Sequence, residues 1–367
     1  MRLRALVRHG WQVAAATIAL VAIGFAFTYS ASLSLDNQRQ LLLVQGAAAV
    51  VGTLALVINA RLDYRVYRNW TGALYVITLV ALVAVLFLGQ EVRGTHAWFD
   101  LGPFRLQPSE FAKVVLVLAL AKYFSDHRTE LYQLKHFLIS FLYVLIPVGL
   151  VLLEPDLGTA VILVLLWAGY ALTVGMRRWH FVAFGVAFIL VSLLAWQFLL
   201  KDYQKDRITT FLQPIENCQT LASYNVCQSY IAIGSGGVTG RGFGQGTQSQ
   251  LNFLPEKHTD FIFAVVAEEL GFVGVVVTLG LFALLFGAIF RTSQQAADNF
   301  GLFVALGVGL LILIQTVVNL GANLGVLPVT GVTLPLVSYG GSSLVATLAM
   351  LGLVLSVRAR HKKQSFA

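Results

Sequence analysis

Apolar runs, most of them about 17 to 25 residues long, alternate with shorter polar connectors along the chain. A helix needs about that length to cross a hydrocarbon core roughly 30 Å thick. The runs show no period-two alternation, which excludes a lipid-facing β-barrel. The pattern predicts spans at about 11–30, 39–59, 71–89, 108–124, 137–153, 157–175, 181–200, 260–287, 300–322 and 343–357. The expected fold class is therefore all-α: one polytopic membrane domain over 1–367, with about ten transmembrane helices. A long loop at 201–259 separates the seventh and eighth spans.

Composition strengthens this picture. Hydrophobic residues make up 57% of the 367 and charged residues only 11%, against about 25% charged in a soluble globular domain. The net charge of +8 is spread over short connectors and not gathered on one face, which argues against a nucleic-acid partner. Arg2, Arg4 and Arg8 precede an apolar run without a small-residue cleavage site, so the first run reads as an uncleaved helix. With both termini cytoplasmic, 16 of the 25 Lys and Arg fall in inward segments. That orientation requires an even number of spans and places three outward segments, 90–107, 201–259 and 323–342, where chemistry should be sought.

The long outward loop holds the only two cysteines, Cys218 and Cys227, a candidate disulfide in an oxidising exterior, with two free thiols as the alternative. It also holds seven glycines between Gly234 and Gly246. No G-x-G-x-x-G window or Walker lysine accompanies them, so the stretch reads as a flexible or substrate-conforming loop. Then follows Leu254-Pro255-Glu256-Lys257-His258-Thr259-Asp260, running into an apolar helix. Thr259 or Asp260 is either that helix's N-cap or, for Asp260, a carboxylate at the mouth of a cavity with a pKa suited to a general base.

Glu268 and Glu269 lie about 13 Å further along the same helix, where an ionised acid is costly. They require a polar cavity, a cation or a kept proton, in a structural tether or a catalytic role. In Gln107-Pro108-Ser109-Glu110-Phe111-Ala112-Lys113, Pro108 suits a first helical turn, and Glu110 and Lys113 share a face. They form a self-neutralised pair, or Lys113 with Arg105 offers cations to a phosphate-bearing ligand. Glu154-Pro155-Asp156 reads as a capped turn. The segment Leu327–Ser343, broken by two prolines and three glycines, reads as the lining of a cavity at membrane depth. The seven histidines are dispersed, and no dedicated metal cage is indicated.

Together, Gln107-Pro108-Ser109-Glu110 through Lys113, Pro155-Asp156-Leu157-Gly158-Thr159, the block from Gln228 through Gly271, and Leu327-Pro328-Val329-Thr330-Gly331 through Ser338-Tyr339-Gly340-Gly341-Ser342-Ser343 resemble the SEDS family, the shape, elongation, division and sporulation proteins of bacteria. Gln245-Gly246-Thr247-Gln248-Ser249-Gln250-Leu251 ahead of Leu254 looks more like the rod-elongation branch than the division branch. The resemblance implies a peptidoglycan glycosyltransferase of the bacterial cytoplasmic membrane, polymerising lipid II beside a class B penicillin-binding protein, with Asp260 matching the family's essential aspartate.

Under that reading Arg105, Glu110, Lys113, Arg207 and Ser338 are candidate substrate-binding residues around lipid II and the nascent glycan strand. No cofactor is assigned beyond a candidate divalent cation, Mg or Mn, bound with the substrate's pyrophosphate. A lipid II flippase and a non-catalytic scaffold for the penicillin-binding protein remain the alternatives. Two departures from the family pattern are Glu154, where glutamine is expected, and the paired cysteines.

Overall fold

In this computed structural model the described residues are 2–92, 95–100, 102, 104–176, 179–182, 185–186, 193, 196–198, 205 and 221–360. The long helices are α1 (Arg2–Ser32), α2 (Gln38–Arg61), α3 (Tyr64–Leu88), α4 (Pro108–Asp126), α5 (Leu134–Leu153), α6 (Leu157–Thr173), α7 (Leu221–Gly236), α9 (Ile262–Gln294), α10 (Asn299–Asn323) and α11 (Gly341–Ala359), with the single turn α8 (Thr247–Gln250) between α7 and α9. Seven helices among the described residues are long and apolar enough to cross a membrane. They include α2 and α3, whose outward faces carry exposed Leu43, Val50, Leu54, Val76, Ile77 and Phe87. These faces are suited to lipid. The predicted span 181–200 lies for the most part outside the described residues.

The helix ends sort onto two sides. Gly10 of α1 lies against Leu355 of α11, and Arg360 pairs with Asp63 at 3.1 Å between α2 and α3. Arg65 and the Tyr64 hydroxyl both meet Asp298, at 2.7 and 2.8 Å, and Arg68 meets Asp126. Asp298 also caps α10 through the Gly301 N–H, at 2.8 Å. The ends predicted to be inward are thus assembled together, with arginine as the common element.

The opposite side departs from a simple set of loops. The outward segment 90–107 is not loop alone. It forms an antiparallel meander of β1 (Gln90–Val92), β2 (Thr95–Asp100) and β3 (Arg105–Leu106), with Gln90 opposite Trp98 and Asp100 opposite Arg105. The all-α fold therefore carries a small outer sheet, and β3 delivers the chain into α4 at Pro108.

The glycine-rich stretch corrects the expectation of a flexible loop. Helix α9 breaks at Gly271, whose φ of 63° and ψ of −159° leave the helical region. A break at membrane depth frees backbone donors and acceptors that must find partners within the protein. The stretch supplies them. The N–H groups of Arg241 and Gly242 donate to the carbonyls of Glu268 and Glu269, each at 3.0 Å, and the N–H groups of Phe272 and Val273 donate to the carbonyls of Gly237 and Val238, at 2.9 and 3.2 Å.

Such close backbone approach excludes side chains. A Cβ on Gly240 would lie 2.1 Å from the Glu269 carbonyl oxygen, and one on Gly236 would lie 1.9 Å from that of Ala267. Glycines are therefore required here because another backbone occupies the space, and the stretch is a plug in a broken helix.

Glu268 and Glu269, both fully buried, belong to the same joint. Glu268 accepts from the N–H groups of Gln248 and Ser249, at 2.8 and 3.2 Å, closing the start of α8. Glu269 accepts from the Ser30 hydroxyl at 2.5 Å and from the Gly244 N–H at 3.0 Å. Of the two roles left open for them, the structure gives the tether.

Replacing Gly240 by alanine should therefore lower stability by about 2 kcal/mol or more, from backbone strain and steric overlap. Gly234 of α7, whose Cβ would meet nothing within 4 Å, should accept alanine with a gain of about 0.5 kcal/mol. Thermal unfolding of both variants in detergent measures the difference, and equal midpoints would remove the plug as a constraint.

Candidate functional site

Asp260 stands at the entry to α9 but not within it. The helix begins at Ile262 with Phe261 as N-cap and no side-chain capping bond, so neither Thr259 nor Asp260 fills the expected cap. The Thr259 hydroxyl instead donates to the Glu256 carboxylate at 2.9 Å, closing a turn in which Glu256 has a φ of 49°. Asp260 is half-buried, and its carboxylate lies beside Gly331. Gly331, with a φ of 72°, brings no side chain of its own against the carboxylate.

The broken segment 324–340 forms the other wall, and it contains no helix among its residues, as its prolines and glycines predict. Its backbone is held from several sides. The Tyr339 N–H donates to the His258 carbonyl at 2.8 Å, and the Ser338 hydroxyl donates to the Thr259 carbonyl at 2.5 Å while accepting from the Leu334 N–H at 2.9 Å. From α2, Gln45 accepts from the Gly340 N–H at 3.3 Å. Gly24 of α1 lets the Leu336 and Val337 carbonyls approach, and Gly158 of α6 does the same for Thr330.

The predicted site residues fall into three groups. Ser338 and Asp260 come together, with Ser338 using its hydroxyl on the neighbouring backbone. Arg105 is exposed, its carbonyl accepts from Ser342 at 3.0 Å, and its charge reaches Tyr339, whose ring lies 5.4 Å from that of His258. Arg105 therefore flanks the Asp260 wall as a cation in the open. Lys113 and Glu110 form a buried 2.7 Å ion pair on α4, with the Lys113 side chain only 3% exposed. The self-neutralised alternative is what the structure shows for this pair. Its neighbour is Asp156, which feels both charges, accepts from Gln107 at 3.3 Å and caps α6 through the Thr159 N–H at 2.9 Å.

Arg207 and Cys218 lie outside the described residues. Cys227 is disulfide-bonded, which excludes the free-thiol alternative for it. Lys257 is buried and fully engaged, donating to the Ser34 hydroxyl, the Ser249 carbonyl and the Asn252 side chain at 2.6, 2.5 and 2.7 Å. It fastens the Asp260 loop to the α1–α2 turn and is not a free phosphate ligand. Among the described residues no group of three or more His, Cys, Asp or Glu is placed to hold a metal ion.

Sequence reasoning passed over Asn319 and Asn323. Both project from α10 onto the Asp260 loop, and each donates to the Asp260 carbonyl at 2.9 Å. The signal was available as Gln315, Asn319 and Asn323, three amides at four-residue spacing within an apolar run.

Residues 11–363 match the family of cell cycle proteins designated FTSW_RODA_SPOVE. The chain belongs to this family. It is similar to peptidoglycan glycosyltransferase MrdB of Escherichia coli K12, at 42% identity over 318 residues, covering 86% of this chain and 85% of that protein. It is also similar to stage V sporulation protein E of Bacillus subtilis 168, at 36% identity, covering 93% and 94% of the two chains.

Among solved structures, a chain from work on the structural coordination of polymerization and crosslinking by a peptidoglycan synthase complex superposes with a TM-score of 0.81 at 36% identity, covering 95% of this chain and 97% of that one. The rod shape determining protein RodA of Thermus thermophilus gives a TM-score of 0.71 at 34% identity, covering 96% and 97%. As a member of the FTSW_RODA_SPOVE family, the chain is a multi-pass membrane protein.

Glu154, the departure from the family pattern, is fully buried with no hydrogen-bond partner for either carboxylate oxygen. Burial, with the Asp156 charge second, pushes its pKa up to about 8. A raised folded-state pKa means that the contribution is present at acid pH and is lost as pH rises through about 8. Glu154→Gln should leave stability little changed near pH 5 and raise it by roughly a few kcal/mol near pH 9. Thermal unfolding across that range checks it, and parallel curves for the two proteins would show that Glu154 does not titrate in the fold.

Proposed function

We infer that this chain is a peptidoglycan glycosyltransferase that polymerises lipid II at the outer face of the bacterial cytoplasmic membrane, with Asp260 as general base. The observation that carries the reading is a half-buried carboxylate beside Gly331, on backbone that Asn319 and Asn323 hold at the outer end of a membrane helix. Partial desolvation of a carboxylate favours its protonated form, the direction in which a general base is tuned.

In the reaction, Asp260 takes the proton of the acceptor sugar's 4-hydroxyl as that oxygen forms a bond to the donor's anomeric carbon. The bond from that carbon to the pyrophosphate oxygen breaks, and the electron pair leaves with undecaprenyl pyrophosphate. Arg105, the exposed cation beside Tyr339, receives the developing phosphate charge in this scheme. Lys113 acts less directly, through its pair with Glu110. A divalent cation belongs to this scheme as part of the substrate, carried by pyrophosphate oxygens and screening their charge. A class B penicillin-binding protein is the proposed partner that cross-links the product.

Purified protein, with a transpeptidase-dead partner, should convert lipid II into glycan polymer. Asp260→Ala at equal folded amount should lower the rate by about 100-fold or more, in the range lost with a positioned base. Undiminished polymer from the variant would reject Asp260. Movement of labelled lipid II across the bilayer without new glycosidic bonds would favour transport. Arg105→Ala should raise KM or lower kcat by about 10-fold or more, the scale of one charge-assisted hydrogen bond, and unchanged kinetics would remove Arg105 from pyrophosphate binding.

A further inference from the structure

Three consecutive carbonyls ahead of α9 are held by four donors. The Tyr339 N–H takes that of His258, the Ser338 hydroxyl takes that of Thr259, and the amides of Asn319 and Asn323 converge on that of Asp260. The convergence is specific in its geometry. Positions four apart on α10 share a face, so two primary amides from successive turns reach one oxygen, each at 2.9 Å.

The remaining capacity of the pair is spent on the same surroundings. Asn319 donates a second bond to the Val332 carbonyl at 2.8 Å, one residue from the Gly331 that faces the Asp260 carboxylate. Asn323 donates to the Asn319 carbonyl at 2.9 Å, and its side-chain oxygen accepts from the Ala264 N–H, a first-turn donor of α9, at 3.3 Å. Its own carbonyl accepts from the Ser229 hydroxyl of α7 at 2.8 Å.

Asn319 is 2% exposed and Asn323 is fully buried. Burying an amide is costly unless its bonds are made, and an apolar residue at either position would pack into the span without that requirement. What the amides do that leucine cannot is locate the main chain of residue 260 relative to 332 and to the start of α9. The Asp260 carboxyl carbon stands three bonds from that carbonyl carbon and shifts when the backbone shifts, and misplacement of a reacting group by about 1 Å can cost about 100-fold in rate.

We propose that Asn319 and Asn323 are positioning residues for glycosyl transfer, fixing the backbone at Asp260 and through it the place of the carboxylate. This rests on the glycosyltransferase reading above. The test is polymer formation by the full-length protein with its transpeptidase-dead partner, comparing wild type, Asn319→Ala and Asn323→Ala across pH at matched folded amounts.

Each variant is expected to lose about 10-fold to 100-fold in kcat, with KM within about 3-fold. The acid limb of its kcat profile should shift, because the base's surroundings change. Asn319→Gln, which keeps the donor, should recover part of the rate. A loss that merely tracks the folded fraction and leaves the pH profile unmoved would make the pair structural only and overturn the proposal, as would wild-type kinetics in both variants.

Should the alanine variants fail to fold, Asn319→Ser and Ser229→Ala weaken the same joint more gently and are read by the same profile. Absence of polymer from wild type would instead reject the glycosyltransferase reading. Amide hydrogen exchange at 259–261 then decides the positioning claim: faster exchange in the variants supports it, and unchanged exchange overturns it.

Discussion

Backbone polar groups that leave a helix inside a membrane have no water to turn to, and this constraint organises the outer half of the molecule. Two irregular stretches, the loop ahead of α9 and the segment 324–340, satisfy one another through the Tyr339–His258 and Ser338–Thr259 bonds. What they leave unpaired is taken by amide side chains from Gln45, Asn319 and Asn323, which extend from the interiors of regular helices. An acid of the kind needed for proton transfer is thus mounted on unwound backbone that rigid elements hold in place.

The same solution appears a second time in α9. The break at Gly271 and the glycine-rich stretch complement each other bond for bond, and the two buried glutamates close the edges of the joint. Glu268 and Glu269 lie nine residues or less beyond Asp260 on the same chain, yet their oxygens accept from the N–H groups of Gly244, Gln248 and Ser249 and from the Ser30 hydroxyl. Position along the chain therefore does not show that a buried acid is a tether; the donors around Glu268 and Glu269 do.

The spans were legible because lipid demands length and apolarity, both of which are local properties. Asp260 and Arg105 stand out as candidates, and Cys227 as a bonded cysteine, because charged or sulfur chemistry is conspicuous against so apolar a background. The roles of Gly236, Gly240 and Gly271 were not legible. Glycine reports only that a side chain is excluded, and the excluding atom here belongs to a residue some thirty positions away. The 90–107 meander was missed for a related reason, since its strands are two to six residues long and carry little periodicity. Asn319 and Asn323 were overlooked within a run read for its hydrophobicity, although their spacing marked a shared face.

The plug has a consequence for how this protein can be modified. Most outward loops of a membrane protein are natural places for an inserted tag, because their ends are free to separate. Between Gly237 and Gly242 the backbone is in register with the interrupted turns of α9, so a residue inserted there would put the bonds on its two sides out of register. Gly102 is exposed, with open space where its Cβ would stand, although its φ of 83° keeps the position itself for glycine. A label placed there would leave the helical frame undisturbed, which makes the outer sheet the natural handle on this molecule.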